Sequence, residues 1–432
     1  MPDPAQHIAW LRHTAPHIKA HRGRTFVIYL GTGALESAGH ATLIHDLALL
    51  HSLGIKLVLV HATREAIDAA LPTDQQAQFH DGIRITDDLT LSLAIEAAAR
   101  QRVQLEQQLS MGLPNTPLTG ARLRILGGNV VTAKPIGILD GVDYLHSGTV
   151  RRVDAKGVRG ILDQDAIALL SPLGYSPAGE IFSVSASEVA EKVAVAIGAD
   201  KLIFLDRQPG LHTAGGELIR QCTIDSAWDL DLGDVEQQRL RDSACRCCTN
   251  GVARSHLLSY EREGALLEEL FTHDGSGTLI AQNPYEQARS ADINDIASIV
   301  ELIRPLEDSG ALVKRSRERL EEEIGYFSIL ERDGRILACA ALYPYEAESV
   351  GEIACVATHP DYRGAGRGGQ LLHELIAEAR ALSLTHVFVL TTQSTHWFLE
   401  QGFEAASLDD LPVEKQQLYN WQRNAAVLRR TV

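Results

Sequence analysis

The chain runs to 432 residues with a formal net charge of -16, 45% hydrophobic and 22% charged residues. That is too long for one ordinary core and too apolar for disorder, so two or three globular units are expected. The excess of carboxylates excludes a nucleic-acid surface, leaving anionic ligands to local arginines. No secretion signal opens the chain, no run of about eighteen apolar residues occurs, and six cysteines are too few and too irregular for a disulfide framework. A cytoplasmic protein without a membrane partner is the expectation.

From Thr25 onward, apolar strands alternate with amphipathic helices: a strand at Thr25 to Leu30, a helix near His40 to Leu53, strands at Ile55 to Val60 and Lys201 to Leu205. This rhythm predicts a mostly parallel sheet covered on both faces. Cys245-Arg-Cys-Cys248 with His256 nearby offers ligand chemistry, but no second paired motif completes a tetrahedral set, so packed thiols and no metal are expected. The polar, proline-bearing stretch Ala281-Gln-Asn-Pro-Tyr-Glu-Gln-Ala-Arg289 marks a change of domain. Asp292 then opens a helix that places Ile293, Ile296, Val300 and Ile303 on one face. Strands follow at Tyr326 to Glu331, Ile336 to Leu342 and Ser349 to Thr358, and a last one at His386 to Thr392.

Between these last two strands lies the most informative segment, Val356-Ala-Thr-His-Pro-Asp-Tyr-Arg-Gly-Ala-Gly-Arg-Gly368, which runs straight into a helix carrying Leu371, Leu372, Leu375 and Ile376. Gly364, Gly366 and Gly368 clear side chains from a turn where successive N–H groups and a helix N-terminus can face a pyrophosphate. Set between strand and helix, the turn resembles the acetyl-CoA pyrophosphate loop of the GNAT acetyltransferases. That resemblance implies that Cys355, Val356, Arg363, Gly364, Gly366, Arg367 and Gly368 bind acetyl-CoA as co-substrate, with no permanently bound cofactor.

Over nearly its whole length the chain resembles the bacterial-type N-acetylglutamate synthase family. The segments that carry this likeness include Gly82-Ile-Arg-Ile-Thr-Asp87, Gly141-Val-Asp-Tyr-Leu-His-Ser-Gly148, Glu301-Leu-Ile-Arg-Pro-Leu306, Gly351-Glu-Ile-Ala-Cys-Val356 and His396-Trp-Phe398. The implied fold class is α/β. An amino-acid-kinase-like three-layer αβα domain with a mostly parallel sheet spans 1–282, and a GNAT α/β domain with a mixed sheet spans 283–432.

Kinase chemistry does not follow, because phosphoryl transfer needs cations around the transferred group. Where that family places a lysine, this chain has Tyr29; its second glycine-rich loop is replaced by His61-Ala-Thr-Arg64; and no lysine occurs between Lys201 and Lys314. The first domain is therefore expected to regulate and to assemble. Resemblance to arginine-sensitive relatives implies that Glu269 receives a guanidinium, that backbone donors at Gly275 and Gly277, in the turn that opens with Asp274, take a carboxylate, and that Lys201 lines the pocket.

In the second domain the resemblance makes Glu352 the base that deprotonates the amine. Phe398 stands where many acetyltransferases carry a proton-donating tyrosine, so Thr391 becomes the leading donor to the departing thiolate, with His396 and Tyr419 as alternatives. Arg315, or its neighbour Arg317, and Lys415 or Arg423 are the expected clamps on an acidic substrate. The implied partners are L-glutamate, acetyl-CoA and the effector L-arginine, in a homo-oligomer that the resemblance makes a hexamer. Rival readings are a combined synthase and kinase, and an amino-acid sensor that acetylates a protein lysine.

Overall fold

The computed structural model describes residues 4–111, 119–120, 123–272, 275–282, 286–332, 335–364, 366–417 and 425–432. Its contacts divide the chain into two compact units, Met1–Pro284 and Tyr285–Val432. Among the described residues, no helix is long and apolar enough to cross a membrane.

In the first unit, strands such as Thr25–Leu30 and Lys56–His61 are buried along almost their whole length. Both faces of an interior parallel strand lie under helices, so such a strand reads as a continuous apolar run. Side chains alternate between two cores: Val27, Tyr29, Val58 and Val60 enter one, and Phe26, Ile28, Leu30, Leu57 and Leu59 the other. Eight strands take the order Gln221–Thr223, Thr278–Ala281, Arg254–Ser259, Lys201–Asp206, Thr25–Leu30, Lys56–His61, Ala166–Leu170, Arg124–Leu126. All neighbours are parallel except Arg254–Ser259 with Thr278–Ala281. A second sheet of four short strands includes Val131–Pro135 and Gly148–Val153, and was not foreseen from the sequence. The cysteines of the helix Val235–Thr249 pack into the core, with Cys245, Cys247 and Cys248 almost fully buried.

The second unit has one mixed sheet, in the order Gln287–Ser290, Phe327–Arg332, Arg335–Tyr345, Val350–Thr358, His386–Thr391, Ala426–Thr431, Glu404–Ala406. The helices Ile296–Asp308 and Arg367–Ala381 supply apolar side chains to cores on its two faces. Ile293 is two-thirds exposed rather than on the buried face. The reason is a capping box between Asp292 and Asp295, which makes Ile293–Asp295 a 3-10 turn before the α-helix begins.

One irregularity shapes this sheet. Ala341 faces Ala354 and Cys339 faces Ala357, so Cys355 and Val356 together oppose a single residue. Cys355 also adopts a positive φ of 54°, uncommon for a residue with a side chain. This is a β-bulge, and it exchanges the strand's faces: Ile353 enters one core, while Cys355 and Ala357 enter the other. The parallel ladder to the next strand covers only Val350↔His386, Gly351↔Val387 and Glu352↔Phe388. Past Glu352 the two strands part.

Candidate active site

Glu352 is the last residue of the strand to share that ladder, and it is buried. Its Oε2 lies 2.6 Å from Lys415 Nζ, on the short helix Val413–Gln417, and accepts a hydrogen bond from the Tyr345 hydroxyl at 3.4 Å. Burial, with the nearby Glu352 charge behind it, pushes the Tyr345 phenol up and keeps it a donor. On the facing strand Thr391 is also buried, and its Oγ1 accepts the Ser394 N–H at 3.0 Å.

Arg315, the first choice by sequence, and its alternative Arg317 occupy different surroundings. The Arg315 side chain is mostly buried, with Nε 3.7 Å from Glu323 Oε2, and Glu323 in turn accepts the Tyr343 hydroxyl at 2.7 Å. Tyr343 stands directly across from Glu352. Burial opposes the Arg315 charge, but the neighbourhood of Cys355, Tyr343 and Glu323 outweighs it and raises the guanidinium pKa. Arg317 is three-quarters exposed and pairs with Glu321 at 3.0 Å. Arg423 and Tyr419 lie outside the described residues; His396 is exposed.

The glycine loop takes the expected form. Gly364 and Gly366 have φ of +87° and +74°, conformations that side chains resist, and Gly366 is the N-cap of the helix Arg367–Ala381. A Cβ at Gly368 would stand 3.2 Å from Trp397. Arg363 is exposed and donates to the Thr358 carbonyl at 3.3 Å. The Cys355 side chain packs in the core, where burial lifts its thiol to about 11, so this position offers a ligand only its backbone. Val356 is partly buried beside the other core.

Arg367 departs from its expected use. Its guanidinium is buried against Glu286, with Nε at 2.9 and 3.0 Å from the two carboxylate oxygens and NH2 at 2.8 Å. NH1 donates to the Tyr362 carbonyl at 3.1 Å, inside the loop. Arg332 pairs with the same carboxylate, and Arg332, Arg335 and Arg367 stand 5.7, 5.3 and 5.2 Å from the Tyr362 ring centroid. The side chain therefore braces the loop. Glu286 escaped sequence reasoning because its partner is 81 residues away.

The first unit holds the other expected cluster. Lys201 Nζ lies 3.3 Å from His256 Nε2, and His256 Nδ1 lies 2.7 Å from Glu269 Oε1. An ammonium facing Nε2 makes that nitrogen the acceptor, which puts the ring proton on Nδ1 and leaves the imidazole neutral. Burial first, then Lys201, bring the His256 pKa down to about 4. Burial alone would raise Glu269, but the hydrogen bond from the His256 ring and the N–H groups of Ser276 and Gly277, at 2.6 and 3.1 Å, bring it down to about 2. Gly275 has φ of +64°, and a Cβ there would come within 2.4 Å of Glu269 Oε2. The four expected residues are thus assembled, with Glu269 satisfied from within; Asp274 lies outside the described residues. Elsewhere in this unit a cavity of about 610 Å³ is lined by Tyr29, Arg64, Lys134, Glu188 and Arg239 among others. Burial holds the Tyr29 phenol neutral there.

Residues 24–259 match the amino acid kinase family and residues 294–403 the acetyltransferase (GNAT) family. The amino-acid acetyltransferase of Azotobacter vinelandii is 50% identical over 429 residues, 99% of each chain. That of Pseudomonas aeruginosa is 48% identical over the whole of both. The crystal structure of N-acetylglutamate synthase from Neisseria gonorrhoeae complexed with coenzyme A and L-arginine is 36% identical, covers 98% of this chain and 99% of its own, and superposes with a TM-score of 0.85. The structure of that enzyme complexed with coenzyme A and N-acetyl-glutamate has the same identity and coverage at a TM-score of 0.64.

Two outcomes follow from the buried charges. Glu286→Gln strands two buried guanidiniums, so calorimetry should show a loss of about 3 to 5 kcal/mol in the second unit; an unchanged melting temperature would mean that water already solvates them. In the first unit, unfolding lets His256 take up a proton near its usual 6.5, whereas the folded ring holds out to about 4. Its contribution is therefore whole above about pH 6.5 and is lost as pH falls toward 4, at up to about 1.4 kcal/mol per pH unit. His256→Asn should flatten the pH dependence of stability by that slope across this window; an unchanged dependence there would mean that the folded ring is charged.

Proposed function

Because this chain belongs to the amino-acid acetyltransferase family and is an N-acetyltransferase, we propose that it transfers acetyl from acetyl-CoA to the α-amino group of L-glutamate, the first step of arginine synthesis, under inhibition by L-arginine. The observation that carries this reading is the position of Glu352, a buried carboxylate where two parallel strands part, with cationic side chains nearby. The support for glutamate and arginine is the 36% identical Neisseria enzyme, whose complexes contain N-acetyl-glutamate in one case and L-arginine in the other.

The loop Arg363 to Gly368 and the first turn of its helix supply backbone N–H groups to the pyrophosphate of CoA. Beyond Glu352, backbone groups that the sheet leaves unpaired meet the amide groups of the pantetheine arm. Arg315 and Lys415 hold the two carboxylates of glutamate. Its ammonium gives a proton to Glu352, and the freed lone pair attacks the thioester carbonyl directly. Cys355 takes no part as a nucleophile, since burial keeps it a thiol. Thr391 Oγ1 already accepts from Ser394, so its own proton remains for the departing sulfur.

In the same reading, arginine binds at Glu269. Its guanidinium takes over that carboxylate, and the N–H groups of Ser276 and Gly277 pass from Glu269 to the arginine carboxylate. The first unit also assembles the oligomer: Ile8, Trp10 and Leu11 of the helix Pro4–His21 are more than half exposed, an apolar edge suited to a neighbouring subunit.

A steady-state assay of CoA release across the common amino acids tests the whole. Glutamate should be the best acceptor, and no acetylglutamyl phosphate should form with ATP; a rate of phosphorylation comparable to acetylation would overturn the assignment. Glu352→Gln should lower kcat by about 10² to 10⁴ with little change in the KM for acetyl-CoA. Coupling of about 1 to 3 kcal/mol between arginine and turnover is expected. Glu269→Gln should abolish it while uninhibited turnover persists, and undiminished arginine inhibition in that variant would move the effector site elsewhere.

A further inference from the structure

The cation held at Glu352 is one of the chain's own amines. Lys415 Nζ stands 2.6 Å from Glu352 Oε2, with the lysine side chain 24% exposed and the glutamate side chain 8%. Tyr345 meets the same oxygen from the adjoining strand. Acetyl transfer to an amino acid calls for this same arrangement, an ammonium against a carboxylate that accepts its proton. A small thioester lodged where the strands part would meet a primary amine already placed for attack. Residues 285–432 contain one other lysine, Lys314, which is 73% exposed and lies 3.3 Å from Asp308.

We propose that Lys415 occupies the acceptor's place while the acceptor is absent, and that the enzyme charged with acetyl-CoA then acetylates Lys415 on its own chain, an inference that rests on the reading of Glu352 as the base. One proton passes from the Lys415 ammonium to Glu352. The nitrogen lone pair forms the C–N bond to the thioester carbonyl carbon, and the C–S bond breaks with its electron pair going to sulfur. The second nitrogen proton ends on sulfur as the CoA thiol, and Glu352 returns its proton to water. Atoms and charge balance with acetyl-CoA as the sole co-reactant. A bound dicarboxylic amino acid prevents the reaction twice over: its amine displaces Lys415 from Glu352, and its carboxylate pairs with the displaced ammonium. Once acetylated, Lys415 has no charge to offer either partner.

The full-length protein is incubated with acetyl-CoA and no acceptor, then digested, and acetyl on each lysine peptide is followed by mass spectrometry. Lys415 should gain acetyl at least about tenfold faster than the more exposed Lys314, a preference that base assistance readily provides. Saturating L-glutamate should suppress the labelling, Glu352→Gln should slow it, and Lys415→Arg should remove it. Equal labelling of Lys314 and Lys415, an unaltered rate in Glu352→Gln, or no label on Lys415 would each overturn self-acetylation. The underlying reading fails separately: if Glu352→Gln acetylates glutamate at the wild-type rate, Glu352 is not the base. If that variant is slow on glutamate while wild-type Lys415 stays unlabelled, only the self-acetylation is lost.

Discussion

A strand of nine residues, Val350–Thr358, must feed two cores and still release its parallel neighbour part-way along, and the left-handed backbone at Cys355 reconciles these demands. Such a conformation in a residue with a side chain costs about 1 to 3 kcal/mol, and it persists only where surrounding packing fixes it. Here the packing is the burial of Cys355 and Ala357 in the core under the helix Ile296–Asp308. The bulge leaves backbone donors and acceptors without strand partners in the middle of a sheet, which folded chains avoid unless a ligand or water meets them. Glu352 falls at the last paired position, so its backbone is fixed by the ladder while its carboxylate meets Lys415 and Tyr345.

The first unit shows a different economy of charge. Tyr29 stands where the kinase resemblance expects a lysine, although Arg64, Lys134 and Arg239 line the same cavity, and Lys201, His256 and Glu269 form a chain of ionisable groups deep in the same unit. Buried charges contribute little to stability when compared with well-packed apolar residues. The N–H groups of Ser276 and Gly277, the His256 imidazole and the Glu269 carboxylate are instead held in mutual hydrogen bonds, so the cluster is satisfied from within.

Legibility in the sequence followed the range of the interaction. Interior strands announced themselves as unbroken apolar runs, and Thr25–Leu30 was read to its ends. Gly364 and Gly366 were readable because positive φ restricts the choice of residue. Arg367 was assigned to the ligand because a motif gives residue type without side-chain direction; its partner, Glu286, lies in a segment that looked like linker. Likewise Arg315 and Arg317 differ by two places in sequence, yet one is buried beside Glu323 and the other solvated. The second sheet of the first unit went unseen because strands such as Leu173–Tyr175 and Ile181–Ser183 are too short for alternation to register. His256 was given no role of its own beside Lys201 and Glu269, since the three groups are assembled by separate elements.

The tie between Glu286 and Arg367 also fixes where this chain can be divided. By secondary structure alone, the acetyltransferase half opens at Gln287, the first residue of its first strand. A fragment, circular permutant or recombinant fusion begun there would keep every strand and helix of that half, but would leave Arg332 and Arg367 crowded against Tyr362 with no carboxylate between them. Their mutual repulsion would act on the backbone of the glycine loop itself. The minimal portable module therefore starts at least one residue earlier, so that it carries Glu286 itself.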